Sequence, residues 1–250
     1  MEQIHELLGY ERIKIIQNKE MFAFSLDSIL LANFVTVNKK VKRIIDLGCG
    51  NGPIPLFLTI KTKAEIIGVE IQEKVADMAQ RSVALNNFDS QIKILNADIK
   101  DIYKYADFVN SFNIVISNPP YFKTYEKSNY NKNDFLTIAR HEIKINLREI
   151  INEAKKLLVD GGSLFLIHRV ERLDEVLETL KKENFVVKAM QFVYPKKGKE
   201  GLLVMFNAKK NGNPGLKVLE PIYVYNENGE YTDSVRKIFN FNAWFKLNML

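Results

Sequence analysis

Short apolar runs alternate along the middle of the chain with segments in which apolar positions recur every three or four residues. The first pattern predicts buried strands and the second predicts amphipathic helices. We predict strands at 43–47, 65–69, 91–96, 112–117, 163–168, 186–194 and 202–208. We predict helices at 54–60, 73–86, 147–158 and 172–182.

This alternation indicates an α/β fold. Strands separated by helices form right-handed crossovers and a parallel sheet that is covered on both faces. Only a short basic turn separates the last two predicted strands, so we expect an antiparallel pair there. The prediction is a Rossmann-like, seven-stranded, mostly parallel sheet with helices on both faces and an antiparallel edge strand, plus short N- and C-terminal extensions.

Three regions follow from the pattern. Residues 1–40 form an N-terminal cap segment with an amphipathic start and a short apolar helix to about Phe34, which Ser25 or Asp27 can cap. Residues 41–210 form the main domain. A Gly- and Asn-rich turn then opens a C-terminal extension, 211–250, with an extended stretch at 219–225 and a helix from 234.

Composition narrows the class of protein. The chain has 250 residues, 46% hydrophobic and 26% charged, and no apolar run approaches the roughly 20 residues of a membrane span. Its acidic start lacks the layout of a signal peptide, and the single cysteine excludes an internal disulfide framework. We therefore expect a cytoplasmic protein that does not contact a membrane. The net charge of +6 favours a polyanionic partner.

A glycine-rich loop follows the first predicted strand of the main domain, in the order Asp46, Gly48, Gly50, Gly52. Alternating glycines permit a tight turn and the close approach of a ligand. Asp46 would repel a pyrophosphate, which favours a cationic or zwitterionic ligand. Glu70 ends the second strand of the domain, where a carboxylate can bind ribose hydroxyls.

Two further polar positions follow the next strands. Asp98 lies after the third strand, where it can contact an adenine amino group or cap the following turn. The fourth strand ends at the tetrapeptide 118–121, Asn-Pro-Pro-Tyr. Prolines cannot extend a sheet ladder, so the chain must leave the sheet there in a stiff turn. Amide oxygens beside an aromatic ring suit a planar amino group that must be held still while it reacts.

Together these motifs resemble those of the class I S-adenosylmethionine-dependent methyltransferases, over residues 22–208. The resemblance implies that Asp46, Gly48, Gly50, Glu70 and Asp98 bind the cofactor. It also implies a catalytic turn made of Asn118, Pro119 and Tyr121, with Ser25, Asp27 and Asn118 near the methionine end of the cofactor. The amide oxygen of Asn118 and the carbonyl of Pro119 would accept the two N–H bonds of the target amine, and Tyr121 would stack on it.

The flanking segments 22–32, 139–142, 168–173 and 195–200 are similar to those of the bacterial tRNA-valine adenine-N6 methyltransferases, although Val170 stands where relatives often carry proline. This resemblance implies methylation of the adenine next to the anticodon of valine tRNA. The three histidines show no metal-ligand spacing, so we expect no metal, and we take a monomer as the default because the sequence leaves the oligomeric state open. Basic and aromatic residues would contact the RNA: Lys123, Tyr125, Arg140, His141, Arg169, Lys196, Lys197 and Lys199.

Alternatives remain open at this point. The three lysines between 196 and 199 can be solvated loop charges, and residues 122–136 can be a lid that contacts no RNA. The same turn occurs in methyltransferases that modify a glutamine of release factors, although these carry a larger N-terminal domain. DNA adenine methylation, a non-catalytic RNA-binding protein and a nicotinamide dehydrogenase fit the motifs less well.

Overall fold

The computed structural model describes residues 1–7, 10–18, 25–105, 107–119, 121 and 145–239, and only the backbone of residues 10–12. The strands are β1 Glu2–Leu7, β2 Tyr10–Asn18, β3 Arg43–Leu47, β4 Glu65–Glu70, β5 Ile92–Asn96, β6 Phe112–Ser117, β7 Leu158–Arg169, β8 Phe185–Tyr194, β9 Leu203–Lys210, β10 Lys217–Val218 and β11 Ile222–Tyr223. The α-helices are α1 Leu26–Phe34, α2 Pro53–Leu58, α3 Glu73–Leu85, α4 Leu147–Leu157, α5 Leu173–Lys182 and α6 Asp233–Phe239. Within the described ranges, 3-10 helices span Ile99–Lys104 and Val170–Arg172.

The main sheet has the order β10-β8-β9-β7-β6-β3-β4-β5, and β11 also pairs with β8. Strands β5, β4, β3, β6 and β7 are parallel to one another, whereas β9 runs antiparallel to both β7 and β8. The predicted α/β fold and the alternation of strands and helices are confirmed. The antiparallel strand differs in position, because β9 lies between β7 and β8 rather than at the edge.

Both faces of the sheet are buried, as the continuous apolar runs predicted. Ile44 and Phe165 point to one face, which α1, α2, α3 and α6 cover, whereas Ile45 and Leu164 point to the other, which α4 and α5 cover. Successive residues of a strand alternate between the two faces of the sheet. A strand of apolar residues therefore contributes side chains to the hydrophobic cores on both faces. This packing fixes the carboxyl ends of the central strands at one edge.

Helix α4 shows how a local signal fixes a boundary. The Asn146 side chain accepts a hydrogen bond from the Glu149 amide at 3.0 Å, and the Glu149 side chain accepts one from the Asn146 amide at 2.9 Å. This capping box satisfies two amides that the first turn of a helix leaves without a partner. The helix therefore begins at Leu147, as predicted.

The terminal regions add structure that the pattern did not specify. The amphipathic start forms an antiparallel hairpin of β1 and β2, and β2 lies against α3. Two very short strands, β10 and β11, extend the sheet beyond β8, so the part of the sheet that the structure describes has nine strands rather than seven. Helix α6 covers the described part of the predicted C-terminal helix, and residues 240–250 lie outside the described residues. None of the helices in the described ranges is long and apolar enough to cross a membrane.

Candidate active site and cofactor site

Polar residues from four neighbouring strands meet at one edge of the sheet. Asp46 pairs in register with Gly68 of β4 and with Ile116 of β6. Glu70 ends β4, and the turn that begins at Asn118 follows β6. Because these strands are parallel, their carboxyl ends open on the same crevice, which is where open α/β sheets bind ligands.

The glycine-rich loop between β3 and α2 has the backbone that its sequence predicts. Gly48, Gly50 and Gly52 have φ values of 79°, 57° and 90°, a left-handed region that favours glycine. A Cβ at Gly48 would meet no atom within 4 Å, so open space lies beside the loop at this position. Cys49 is packed inward, and burial raises the pKa of its thiol, which agrees with a structural rather than a nucleophilic role.

Asp46 is a buried carboxylate whose surroundings favour binding of a cation. Its side chain is fully buried, and neither carboxylate oxygen has a hydrogen-bond partner among the described residues. Burial, with a smaller effect from the negative charge of Glu70, raises the pKa of Asp46 to about 8. A buried carboxylate without a partner is costly, so the site favours a cation. The ammonium and sulfonium groups of S-adenosylmethionine provide that charge, and Asp46 fits this cofactor.

Glu70 is held in place by the loop that it faces. Its two oxygens accept hydrogen bonds from the amides of Gln72 at 2.8 Å and Gly50 at 3.1 Å. Burial raises the pKa of Glu70, and these amides act in the opposite direction. Each oxygen keeps a lone pair for a second donor. The position suits the two hydroxyls of a ribose.

Asp98 performs the capping role that the sequence left open. Its Oδ1 accepts a hydrogen bond from the Lys100 amide at 2.9 Å, at the start of the 3-10 helix after β5. The Lys100 ammonium lies 3.9 Å from the other oxygen. The contact between Asp98 and the cofactor adenine stays a prediction.

The turn after β6 is tied to helix α1 by side chains. The Tyr121 hydroxyl lies 2.6 Å from Asn118 Oδ1 and 2.9 Å from Asp27 Oδ2, and Asn118 Nδ2 donates to Ser28 Oγ at 3.3 Å. A phenol has one proton and donates to one of the two oxygens at a time. Asn118 Oδ1 therefore keeps a lone pair for another donor, such as an incoming amine.

Helix α1 thus contributes more than an apolar cap. Asp27 lies inside the helix and contacts Tyr121, whereas Ser25 occupies the N-cap position, where its side chain makes no capping bond. Burial raises the pKa of Asp27 despite the opposing hydrogen bond from Tyr121, and burial also raises the pKa of the Tyr121 phenol. The expected contact of Ser25 and Asp27 with the cofactor stays a prediction.

The carboxyl end of helix α1 is also anchored. Lys61, in the loop after α2, donates hydrogen bonds to the carbonyls of Ala32, Asn33 and Val35. These carbonyls lie at the end of α1, where a helix leaves acceptors without an internal partner. Burial lowers the pKa of Lys61 to about 8. Because α1 presents Asp27 and Ser28 to the turn, Lys61 supports the site from a distance.

Three residues near the turn were not predicted as site residues. Ser28 contacts Asn118, the guanidinium of Arg172 donates to the Tyr121 carbonyl, and the His168 ring lies 5.5 Å from the Tyr121 ring. His168 and Arg172 were noted only as part of a segment that resembles a family. They lie about fifty residues from Tyr121 along the chain, and no local sequence pattern predicts their contacts with it.

The predicted RNA-binding residues fall into two groups. Arg169 ends β7 and donates to Glu171 at 2.9 Å, and the three lysines at 196, 197 and 199 are exposed in the loop between β8 and β9. Strand β8 is parallel to β7, so this lysine loop lies at the same edge as the turn at 118–121. Lys123, Tyr125, Arg140 and His141 lie outside the described residues. Within the described ranges, no group of three or more His, Cys, Asp or Glu side chains could hold a metal ion.

Comparisons with known proteins agree with this geometry. The profile of the family described as "Methyltransferase small domain" matches residues 13–194. A relative from Haemophilus influenzae named "tRNA1(Val) (adenine(37)-N6)-methyltransferase" is 26% identical over 229 residues, covering 90% of this chain and 93% of the relative. A protein of the same name from Bacteroides fragilis is 22% identical over 92% of this chain and 96% of its own length.

Among solved structures, a predicted O-methyltransferase from Agrobacterium tumefaciens superposes with a TM-score of 0.68 and 24% identity, covering 86% of this chain and 95% of that protein. At this identity the similarity supports the fold rather than the substrate. The family profile spans most of the chain and includes β3 to β8, the strands that carry the site. The protein is therefore a methyltransferase and belongs to the methyltransferase small domain family.

Proposed function

We propose that the protein transfers a methyl group from S-adenosylmethionine to the exocyclic N6 of an adenine in tRNA, the adenine next to the anticodon of valine tRNA. The observation that carries this proposal is the turn at 118–121, whose amide oxygen is fixed by the Tyr121 hydroxyl and which follows β6, the strand that pairs with the buried, unpaired Asp46. The names of the full-length relatives support the choice of substrate.

The cofactor half of the site explains how the methyl donor is held. Asp46 supplies the negative charge that the positively charged methionine end needs, and Glu70 supplies acceptors for ribose hydroxyls. The open space at Gly48 lets the ligand lie against the backbone. When bound, S-adenosylmethionine supplies an electrophilic methyl group on a sulfonium.

The turn acts on the nucleophile. The lone pair of an adenine amino group is delocalised into the ring, so the nitrogen is a poor nucleophile. Asn118 Oδ1 and the Pro119 carbonyl accept hydrogen bonds from its two N–H groups. These bonds favour a tetrahedral geometry at the nitrogen, in which the lone pair is localised. Acceptors that are fixed in a buried site do not have to reorient during the reaction. For this reason such groups lower the activation free energy more than mobile ones. The N6 proton leaves after the nitrogen has gained the methyl group, so no strong general base is required.

Tyr121 has two roles in this proposal. Its ring stacks on the target base, and its hydroxyl orients the Asn118 amide through a hydrogen bond to Oδ1. Asp27 and Ser28 complete the arrangement from α1. The lysine loop at 196–199 would contact the RNA backbone, because its side chains are exposed at the same edge.

A methyl-transfer assay with labelled cofactor tests the substrate class. The acceptors are total tRNA that lacks this modification, valine tRNA transcribed in vitro, and a release factor. We expect label in valine tRNA and in the matching fraction of total tRNA. Label in the release factor alone would contradict the proposal and favour glutamine methylation. The glutamine amide nitrogen is planar, as is the amino nitrogen of adenine.

A further inference from the structure

The catalytic turn lacks the usual means of holding its own backbone. Prolines at 119 and 120 have no N–H group, so neither residue can donate a backbone hydrogen bond. The strand side of the turn is fixed by Ser117, whose hydroxyl donates to the Leu47 carbonyl at 2.9 Å. The far side, at Tyr121, needs a donor from elsewhere in the fold.

Arg172 supplies that donor. It ends the 3-10 helix after β7, it is 9% exposed, and its Nη1 donates to the Tyr121 carbonyl at 3.0 Å. A hydrogen bond from a charged group to a carbonyl in a buried position is stronger than a neutral one. The contact joins the segment after β7 to the last residue of the turn.

Glu175 fixes the direction of the arginine. Arg172 Nε donates to Glu175 Oε2 at 3.0 Å, and Arg172 Nη2 donates to Glu175 Oε1 at 2.7 Å. This bidentate pair uses one edge of the planar guanidinium, which leaves Nη1 directed at Tyr121. Glu175 lies in the first turn of α5, where the helix dipole favours a negative charge. The arginine is therefore held by a rigid element.

His168 completes the support of Tyr121. The Arg169 amide donates to His168 Nδ1 at 2.9 Å, so the ring proton lies on Nε2. Burial, together with the positive charge of Arg172, lowers the pKa of His168 to about 3, and the ring is neutral at physiological pH. A neutral, buried ring beside Tyr121 limits movement of the tyrosine without adding charge to the site.

We propose that Arg172, oriented by Glu175, is a positioning residue that holds the Tyr121 end of the catalytic turn in the geometry needed for methyl transfer. This inference rests on the proposed function. Helix α1 fixes the Tyr121 hydroxyl and Arg172 fixes its carbonyl, so the residue is held at both ends. A displacement of about 1 Å in a reacting group can cost roughly 100-fold in rate. Loss of this anchor should therefore lower kcat and leave cofactor affinity unchanged.

The experiment compares Arg172→Gln, Arg172→Lys and Glu175→Gln with wild type, using valine tRNA and measuring kcat, KM for tRNA, cofactor Kd and Tm. We expect kcat to fall about 10- to 100-fold in both Arg172 variants. The lysine variant is included because an ammonium cannot bind Glu175 through two N–H groups and reach the Tyr121 carbonyl at the same time. We expect a smaller fall in kcat for Glu175→Gln. KM and cofactor Kd should stay within about twofold, since such a loss removes an interaction that acts in the transition state.

The matched control is Glu178→Gln on the same helix, which breaks an exposed pair with Lys182 at 2.7 Å and should change none of these quantities. A kcat within twofold of wild type in Arg172→Gln would overturn the inference. So would a loss of cofactor binding as large as the loss of kcat, which would indicate a general structural role. If Arg172→Gln does not fold, Glu175→Gln decides alone, because its partly exposed side chain tolerates the change. A wild-type protein that methylates no tRNA would refute the proposed function instead.

Discussion

The two halves of the site differ in how completely their polar groups are satisfied. In the cofactor half, formed by the glycine-rich loop with Asp46 and Glu70, a buried carboxylate has no partner among the described residues. In the acceptor half, formed by α1, the turn at 118–121 and Arg172, the side chains already bond to one another. Under the proposed function, a charged ligand completes the first half, whereas the second half is organised before the substrate binds.

This difference has a physical reason. A charged cofactor can balance the cost of a buried carboxylate, because its ammonium group stays charged throughout the reaction while the sulfonium loses its charge with the methyl group. An adenine amino group is neutral and gives little binding energy, so the residues that orient it must be fixed in advance. Substitutions in the two halves should therefore separate cofactor affinity from turnover.

The largest expected effect is on turnover, from Asn118→Ala. The substitution removes the amide oxygen that accepts a hydrogen bond from the amine N–H group. This loss should lower kcat about 100- to 1,000-fold, the range seen when one fixed polar group of a catalytic site is removed. The cofactor Kd should change little, because Asp46 and Glu70 remain. Single-turnover methyl transfer and calorimetric titration of the cofactor measure the two quantities. Equal losses in both would mean that Asn118 acts mainly in cofactor binding.

The opposite pattern is expected for Asp46→Asn. Without its charge the cofactor half should bind S-adenosylmethionine about 10- to 100-fold more weakly, since a buried charge pair is lost. The exposed Asp101→Asn, which removes only a surface pair with Lys104, is the control. A cofactor Kd unchanged in Asp46→Asn would contradict the assignment of Asp46 to the cation.

The same residue predicts how stability depends on pH. The pKa of Asp46 is about 8 in the folded protein and roughly 4 in an unfolded chain, so the folded state binds the extra proton between these values. Stability of the cofactor-free protein should therefore fall as pH rises from 6.5 to 8, a range above the ordinary pKa of histidine. Asp46→Asn should flatten this slope in Tm, whereas a slope equal to that of wild type would contradict the prediction.

A smaller effect, on stability, is expected from Lys61→Met. Three carbonyls at the end of α1 would lose their donor, at a cost of about 1–3 kcal/mol in the free energy of unfolding. Because α1 carries Asp27 and Ser28, kcat should also fall, by less than in Asn118→Ala. Lys63→Met, at an exposed position of the same loop, is the matched control for denaturant unfolding. Equal stability of the two variants would mean that Lys61 does not anchor α1.

The smallest effect per residue is expected in the lysine loop. Changing the lysines at 196, 197 and 199 to Gln should raise KM for tRNA and reduce the slope of log KM against log salt by about 2, because each phosphate contact contributes somewhat less than one. The kcat at saturating tRNA should stay constant. The control changes Lys39, Lys40 and Lys42, which lie before β3 at the opposite edge of the sheet. An equal rise in KM for both triple variants would indicate a general charge effect.

Much of the cofactor half follows from the sequence, because its signals are local. Strand β3 is apolar on both faces and carries Asp46 as its penultimate residue, and the glycines mark the turn within a few residues. Each acid lies at the carboxyl end of its own strand, and parallel pairing brings the strand ends together. The positions of Asp46 and Glu70 could therefore be predicted without any long-range contact.

The acceptor half could be predicted only in part, because its contacts join distant segments. The tetrapeptide at 118–121 identifies the turn, but the partners of Tyr121 come from α1 and from Arg172. The position of β9 shows the same limit, since pattern gives the order of strands along the chain and not their order in the sheet. The N-terminal hairpin was missed because the only apolar residues of β1, Ile4 and Leu7, are not two positions apart, and the short alternation of Ile13 and Ile15 in β2 is a weak signal.

The proposed reaction can be tested at the level of the modified atom. Valine tRNA lacking the modification is incubated with the protein and S-adenosylmethionine, digested to nucleosides and analysed by mass spectrometry, with Asn118→Ala as the inactive control. We predict one N6-methyladenosine per tRNA, located next to the anticodon, and none with the variant. Methylation at another atom, or an equal yield from the variant, would contradict the central role of the Asn-Pro-Pro-Tyr turn.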